Sequence, residues 1–244
     1  VAAKKKAASG GNSKFIGVLA VVALVGGGAI AWVLSNSGAK AVELDPSLPP
    51  PAPAGYVIGS PDAPVEIIEF ADFECPGCAQ FATLTTPDVK ARLVESGQAR
   101  FRFVDLPLTS IHPNTLAAHN AAACANDQGR FWEMHDRLFY GQGEWNTQAT
   151  SNPVRVLKGY ASELGLDTKT FNSCLDSRKH QAQIDANRQE AERLRVAGTP
   201  TVIIGKRMIY QRMGYDIIKA YVDTATTEAA AGTGETLFRA GGGN

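Results

Sequence analysis

An α/β domain interrupted by a helical block, preceded by one N-terminal transmembrane helix, is the fold class the sequence predicts. Three observations predict it. Residues 15–34 form an apolar run with no charged side chain; short strand-like runs stand at 65–70, 99–106 and 201–204; and a long helix-patterned stretch, 113–195, separates the second of these from the third. With 244 residues, 44% hydrophobic content and a formal net charge of zero, the chain can bury one respectable core but hardly two large ones. A neutral balance with no dense basic block outside the extreme N-terminus leaves no nucleic-acid footprint.

Taken in order, residues 1–14 are a basic N-terminus carrying Lys4, Lys5, Lys6 and Lys14. The run 15–34 follows; at about 1.5 Å per residue it matches the roughly 30 Å of bilayer hydrocarbon. The chain retains this segment, which reads as an anchor and not as a cleaved leader, whose apolar region is usually shorter. Lys40 is the one positive charge in the segment after it, so the positive-inside rule puts the N-terminus in the cytoplasm and everything from residue 35 onward outside. Ala23, Gly27 and Ala31 repeat a small residue every fourth position, a face that lets another helix approach closely. Residues 35–55 hold Pro46, Pro49, Pro50, Pro51 and Pro53 and read as an extended polyproline II spacer holding a domain off the membrane.

The globular part is expected over 56–225. A buried strand at 65–70 leads into a helix over 76–96, broken or kinked near Pro87, then a strand at 99–106. Helices fill the insertion, about 113–195, punctuated by Gly129, Pro153 and Gly165; Phe131, Trp132, Leu138 and Phe139 recur at helical spacing and form its expected core. Trp145, near Gly141 and Gly143, reads as an exposed contact residue. After Gly198-Thr199-Pro200 come a β-branched strand at 201–204, a turn at Gly205-Lys206, a strand at 208–211 and a helix at 216–225. Residues 226–244, rich in Ala, Gly and Thr, read as a low-complexity C-terminal tail with little to bury.

Cys75-Pro76-Gly77-Cys78 carries the chemistry. Two thiols two residues apart can close into a disulfide that other thiols reopen, and here Cys75 falls where a strand ends and a helix begins. The unpaired N–H groups and positive end of that helix favour its thiolate, and Pro76 suits the first turn, where its missing N–H is not needed. Half of a zinc site is the alternative for such a pair, but it requires a second one. Cys124 and Cys174 stand alone, and none of His112, His119, His135 and His180 falls at ligand spacing to another candidate, so no metal is expected. His119 and His135 read as packed or surface residues.

Several spaced motifs then carry a family resemblance: Gly59-Ser60-Pro61-Asp62-Ala63-Pro64, Glu69-Phe70-Ala71-Asp72-Phe73-Glu74 before the cysteine pair, Phe131-Trp132-Glu133-Met134-His135 and Gly198-Thr199-Pro200-Thr201. Over residues 56–225 the chain resembles the thioredoxin-fold thiol-disulfide oxidoreductases of the DsbA family, membrane-anchored type. The resemblance implies a thioredoxin-like fold with an inserted helical domain and a cis peptide before Pro200. It implies Cys75 as the exposed nucleophile and Cys78 as the buried resolving thiol, with Thr199, Pro200, Pro76 and Gly77 at the substrate. Glu69 matches the buried acid that accepts a proton as Cys78 is activated; the residues alone also allow a solvated glutamate at a sheet edge. For Cys124 and Cys174, 50 residues apart in the insertion, the residues allow a pair or two separately buried thiols, and the resemblance implies a structural disulfide.

The sequence departs from the strongly oxidising members, which resemble Cys-Pro-His-Cys, since Gly77 supplies no charge between the sulfurs. Glu69, Asp72 and Glu74 add negative potential that raises a thiol pKa, so a less oxidising couple is expected. The resulting expectation is an anchored outer-face thiol-disulfide oxidoreductase that needs no cofactor. Its partners would be exported protein thiols and disulfides and a membrane redox partner. A rival reading makes the domain an accessory or structural subunit of a larger membrane complex, held by its span and tails.

Overall fold

The computed structural model describes residues 40–210 and 213–232. The span expected at 15–34, its small-residue face and the tail beyond residue 232 lie outside the described residues, among which no helix is long and apolar enough to cross a membrane.

A six-stranded mixed sheet is the frame. Its strands are β1 (Lys40–Glu43), β2 (Tyr56–Ile58), β3 (Glu66–Ala71), β4 (Arg100–Asp105), β5 (Thr201–Ile204) and β6 (Arg207–Tyr210), in the spatial order β1-β6-β5-β3-β4-β2. Only β3 and β4 run parallel, and the crossover between them is helical: α1 (Pro76–Leu84), a short α2 (Thr86–Val89) and a π-helical turn over Lys90–Val94. The expected break near Pro87 falls at Thr85, which separates α1 from α2. The other neighbours are antiparallel, with β5–β6 a hairpin around Gly205-Lys206.

β3 is buried at every residue, because both faces of the sheet are covered. Side chains alternate faces along a strand. Ile68 and Phe70 pack with Val104, Ile203, Met208, Ala191 and Leu194 on one side. Ile67 packs with Phe81, Phe101, Val202, Ile204, Ile218 and Val222 on the other. Glu69, two residues from Ile67 and opposite Val202 in the register, points to that second, α1-covered side.

The insertion consists of α3 (Thr115–Asn126), α4 (Phe131–Tyr140), α5 (Gln142–Trp145), α6 (Val154–Glu163), α7 (Thr168–Asp176) and α8 (Gln181–Arg193). Its core joins Ala118, Ala121, Ala122, Phe131, Met134, Leu138 and Tyr160 to Phe73 and Phe103 of the sheet domain, so the insertion seats directly against the end of β3. Trp145 belongs to this core. It is fully buried and its indole N–H donates to the Leu138 carbonyl at 2.9 Å, which corrects the exposed-contact reading. The flanking glycines start and sit inside a short helix, so they do not mark an exposed loop.

Two further expectations are corrected. The proline-rich segment 35–55 is not a free spacer in its described part. Residues Lys40–Glu43 pair with β6 as an edge strand, the carbonyls of Pro49 and Pro50 accept from Arg193, and the Ala52 N–H donates to Glu190. Proline carbonyls remain acceptors though the nitrogens cannot donate, and α8 supplies the arginine. The closing helix α9 (Tyr215–Ala230) also runs beyond residue 225 into the expected tail. Ala, Thr and Glu tolerate a helix there, and Glu228 takes a bidentate contact from Arg207 at 2.6 and 3.0 Å.

Candidate active site

Cys75 is the residue immediately before α1, with extended backbone (φ −71°, ψ 124°) and Pro76 in the first turn. Nothing caps the helix from a side chain, so its first N–H groups remain available to the sulfur. The Cys75 N–H donates to the Asp72 carbonyl at 3.1 Å, which closes the turn joining β3 to α1. Cys75 is partly exposed, Cys78 one turn on is buried, and both are free thiols.

The peptide bond between Thr199 and Pro200 is cis. The segment before β5 lies against the first cysteine: the Thr199 carbonyl is 3.5 Å from Cys75 Sγ. Gly77 packs against the same proline, and a side chain there would begin 3.1 Å from Pro200 Cδ and 3.7 Å from Cys75 Sγ. Beside Pro200 opens a groove of about 1070 Å³ whose walls include Gly77, Phe81, Leu84, Tyr210 and Tyr215. Thus Thr199 and Gly77 lie against the sulfur of the partly exposed Cys75, Pro200 packs on Gly77, and Pro76 occupies the first turn of α1.

The electrostatics separate the two thiols. A hydrogen bond from Cys78 is the largest cause that holds the Cys75 thiol down to about 5; burial opposes it, and the Thr199 hydroxyl and the N–H groups of Gly77 and Cys78 assist. The Thr199 hydroxyl is buried and makes no hydrogen bond to any described residue within ordinary distance and angle, so its support of the thiolate is electrostatic in direction and not a formed bond. Burial, followed by the hydrogen bond to Cys75 and that residue's charge, pushes Cys78 well up. Glu69 is fully buried, its two oxygens have no hydrogen-bond partner among the described residues, and burial first, then the Cys75 charge, pushes it up to about 8. Lys90, stacked over the Trp132 ring at 4.8 Å, pulls the other way. Glu69 therefore holds a proton at neutral pH in an apolar layer beneath the pair.

Asp72 and Glu74 do not act as the sequence suggested. Asp72 accepts from the N–H groups of Glu74 and Leu108 at 2.7 Å and from the Thr115 hydroxyl, and contacts His112 Nδ1 at 2.9 Å. Glu74 accepts from the N–H groups of Asn114 at 2.9 Å and of Thr147. Both carboxylates are buried and tie the loop before Cys75 to the insertion. Gln142 adds bonds to the carbonyls of Phe73 and Cys75, and the Phe73 N–H reaches His119 Nε2 at 3.5 Å, while His119 Nδ1 meets Asp105 at 2.6 Å. His112, Asn114, Gln142 and Lys90 escape sequence reasoning because their partners lie far along the chain. The one available signal is an acid on either side of Phe73 beside a cysteine pair.

Cys124 on α3 and Cys174 on α7 are joined as a disulfide, with Cα atoms 5.8 Å apart. His119 and His135 are fully buried packed residues.

Comparison with known proteins agrees with this geometry. The family described as Thioredoxin matches residues 52–224. Over 190 residues the chain is 36% identical to a protein named Na(+)/H(+) antiporter NhaA 1 from Salinispora arenicola, a match that covers 78% of this chain and 27% of that protein. It is 26% identical over 172 residues to Disulfide bond formation protein D of Bacillus subtilis, covering 68% of this chain and 75% of that one. The chain thus spans little more than a quarter of the length of the antiporter-named relatives. Among solved structures, oxidised BdbD from Bacillus subtilis superposes with a TM-score of 0.63 at 21% identity, over 78% of this chain and 98% of that one. Wolbachia pipientis alpha-DsbA1 gives 0.65 at 21% identity, over 75% and 96%. These likenesses show the shared fold.

Proposed function

The chain belongs to the thioredoxin family, and from that premise we propose that it is a DsbA-like thiol-disulfide oxidoreductase that exchanges disulfides with exported proteins through Cys75 and Cys78 at the outer face of a membrane. The observation that carries the proposal is the partly exposed Cys75 sulfur at the start of α1, set against Thr199 and the cis-Pro200. With the pair oxidised, a substrate thiolate attacks Cys75 Sγ, the Cys75–Cys78 bond breaks, and a mixed disulfide forms while Cys78 leaves as a thiolate. Its raised pKa means that this thiolate takes a proton at once, and protonated Glu69 on the α1-covered face is the nearby carboxyl that couples to it. A second substrate thiolate then attacks the substrate sulfur of the mixed disulfide and expels Cys75, a good leaving group because its own pKa is near 5. Two electrons pass from the substrate thiols to the pair.

A stabilised Cys75 thiolate favours the reduced pair, which makes the oxidised pair a disulfide donor. The expected acidic brake is weaker than the sequence suggests, since Glu69 is held protonated and neither Asp72 nor Glu74 is among the groups that set the Cys75 pKa. Residues 15–34 are proposed as the anchor, with the N-terminus cytoplasmic, on the strength of their uncharged length and the lysines before them.

A second reading, an accessory module of a membrane protein assembly, is favoured by the antiporter-named relatives, of which this chain matches 27 to 28%. One experiment separates them. The protein is extracted from its native membrane in mild detergent, equilibrated across glutathione redox buffers, and labelled at Cys75 with a thiol-reactive mass tag while co-purifying chains are recorded. Reversible switching at Cys75 supports the oxidoreductase, and a pair that stays inaccessible in a stoichiometric assembly supports the module.

A further inference from the structure

One side chain of the insertion reaches the main chain of Cys75 itself. Gln142, the first residue of α5, donates from Nε2 to the carbonyl of Phe73 at 2.8 Å and to the carbonyl of Cys75 at 3.3 Å. Among the described residues it is the one side chain that bonds the Cys75 main chain. The other ties between this loop and the insertion end on the Asp72 and Glu74 carboxylates, before the sulfur is reached. A carboxamide suits the place, since its two N–H donors can serve two carbonyls at once. The Cys75 carbonyl also accepts the Ala79 N–H at 3.1 Å, so the same oxygen joins Gln142 to the first turn of α1.

The start of α5 is itself held from behind. Gly141 leaves no room for a side chain, which would collide with Arg137 and with the Tyr160 hydroxyl. That hydroxyl donates to the Gly141 carbonyl at 3.1 Å. The Arg137 guanidinium stacks 3.6 Å from the Tyr160 ring centroid and bonds Glu163 at 2.8 Å and Glu144 at 3.2 Å. At the other end of α5 the Trp145 indole is fully buried. Residues of α4 and α6 therefore fix the backbone from which Gln142 reaches the cysteine turn.

We propose that Gln142 is a positioning residue for the thiol chemistry: by clamping the Phe73 and Cys75 carbonyls it holds the turn so that Cys75 Sγ stays at the first N–H groups of α1. The inference rests on the oxidoreductase reading above and gives the helical insertion a part in it. Behind the hydrogen bond from Cys78, the N–H groups of Cys78 and Gly77 help to hold the Cys75 thiol down. That help weakens with distance and with misalignment of the donors. Without the carboxamide the Phe73 carbonyl loses its donor, the peptide planes of the turn are free to rotate, and the thiolate gives up part of its stabilisation.

The test replaces Gln142 in the full chain by methionine, which keeps the length of the side chain and removes both donors. Cys75 alkylation by iodoacetamide is followed across pH 4 to 8 with Cys124–Cys174 closed, parent and variant are equilibrated in glutathione buffers at pH 7, and urea unfolding reports stability. The alkylation midpoint is expected to rise from near 5 by about half a pH unit. The glutathione equilibrium should then shift about threefold toward the Cys75–Cys78 disulfide, since half a pKa unit is about a factor of three in the stability of the thiolate. Gln142→Asn, polar but one methylene too short to serve both carbonyls, repeats the measurement where the methionine variant does not fold. A midpoint that stays with the parent's while urea stability falls would make Gln142 merely structural and overturn the proposal, as would a raised midpoint with an unmoved glutathione equilibrium. A parent pair that fails to switch in glutathione at all would instead sink the oxidoreductase reading, and the alkylation midpoints alone would then decide the role of Gln142.

Discussion

Glu69→Gln is expected to stabilise the reduced protein at neutral pH, although it removes an ionisable residue from the middle of a sheet. Below pH 4.5, the ordinary value of the side chain, the carboxyl is protonated in both the folded and the unfolded chain. Between 4.5 and about 8 only the folded chain keeps the proton, so each pH unit lowers folding stability by about 1.36 kcal/mol. At pH 7 that amounts to 2.5 units from 4.5, or about 3 kcal/mol, and the loss levels off above pH 8. Glutamine has nearly the shape of the protonated acid and leaves a comparable unpartnered polar group, so the variant carries none of this pH-dependent loss. The assay is urea unfolding of both proteins at pH 4.5, 6, 7 and 8, with Cys75 and Cys78 reduced and Cys124–Cys174 closed, as checked by mass. The difference in stability should be near zero at pH 4.5 and grow steadily to pH 8 in favour of the variant. In a Cys75→Ser background it should level off at lower pH, since the Cys75 charge is the second cause of the raised value. A difference that is flat with pH, or that favours glutamate at pH 7, would refute the placement of Glu69 as a buried, unpaired carboxyl.

Thr199→Val removes a buried hydroxyl that has no hydrogen-bond partner among the described residues and that helps to lower the Cys75 pKa, so the midpoint of the Cys75 alkylation rate should rise from near 5 by about one pH unit. An unmoved midpoint in iodoacetamide kinetics would show that the hydroxyl does not support the thiolate. Trp145→Ala should cost about 3–5 kcal/mol, because the indole is fully buried and bonded to Leu138, and a calorimetric midpoint within a degree or two of the parent would restore the exposed-residue reading.

How much of this was legible in the chain differs from element to element. Strands 65–70, 99–106 and 201–204 announce themselves because apolar and β-branched runs have few other solutions, and the cysteine pair is visible because its spacing is local. The edge strand Lys40–Glu43 was hidden, since four exposed residues pair with β6 through backbone groups alone and leave no apolar pattern. Asp72 and Glu74 were misjudged for the same kind of reason: near a thiol in sequence, they look like free negative charge until residues about 30 to 70 positions away supply their donors.

By itself, then, the sequence determined the α/β frame with its helical block, the strand-to-helix position of Cys75 and the family to which those motifs belong, all of them consequences of periodicity and short-range spacing. Tertiary structure alone decided which carboxylate stays unpaired beneath the cysteines, which hydroxyl faces Cys75, and that Gln142 of the insertion reaches the carbonyls of Phe73 and Cys75. Burial and hydrogen bonding are properties of neighbours in space, and for these residues the neighbours come from other elements of the fold.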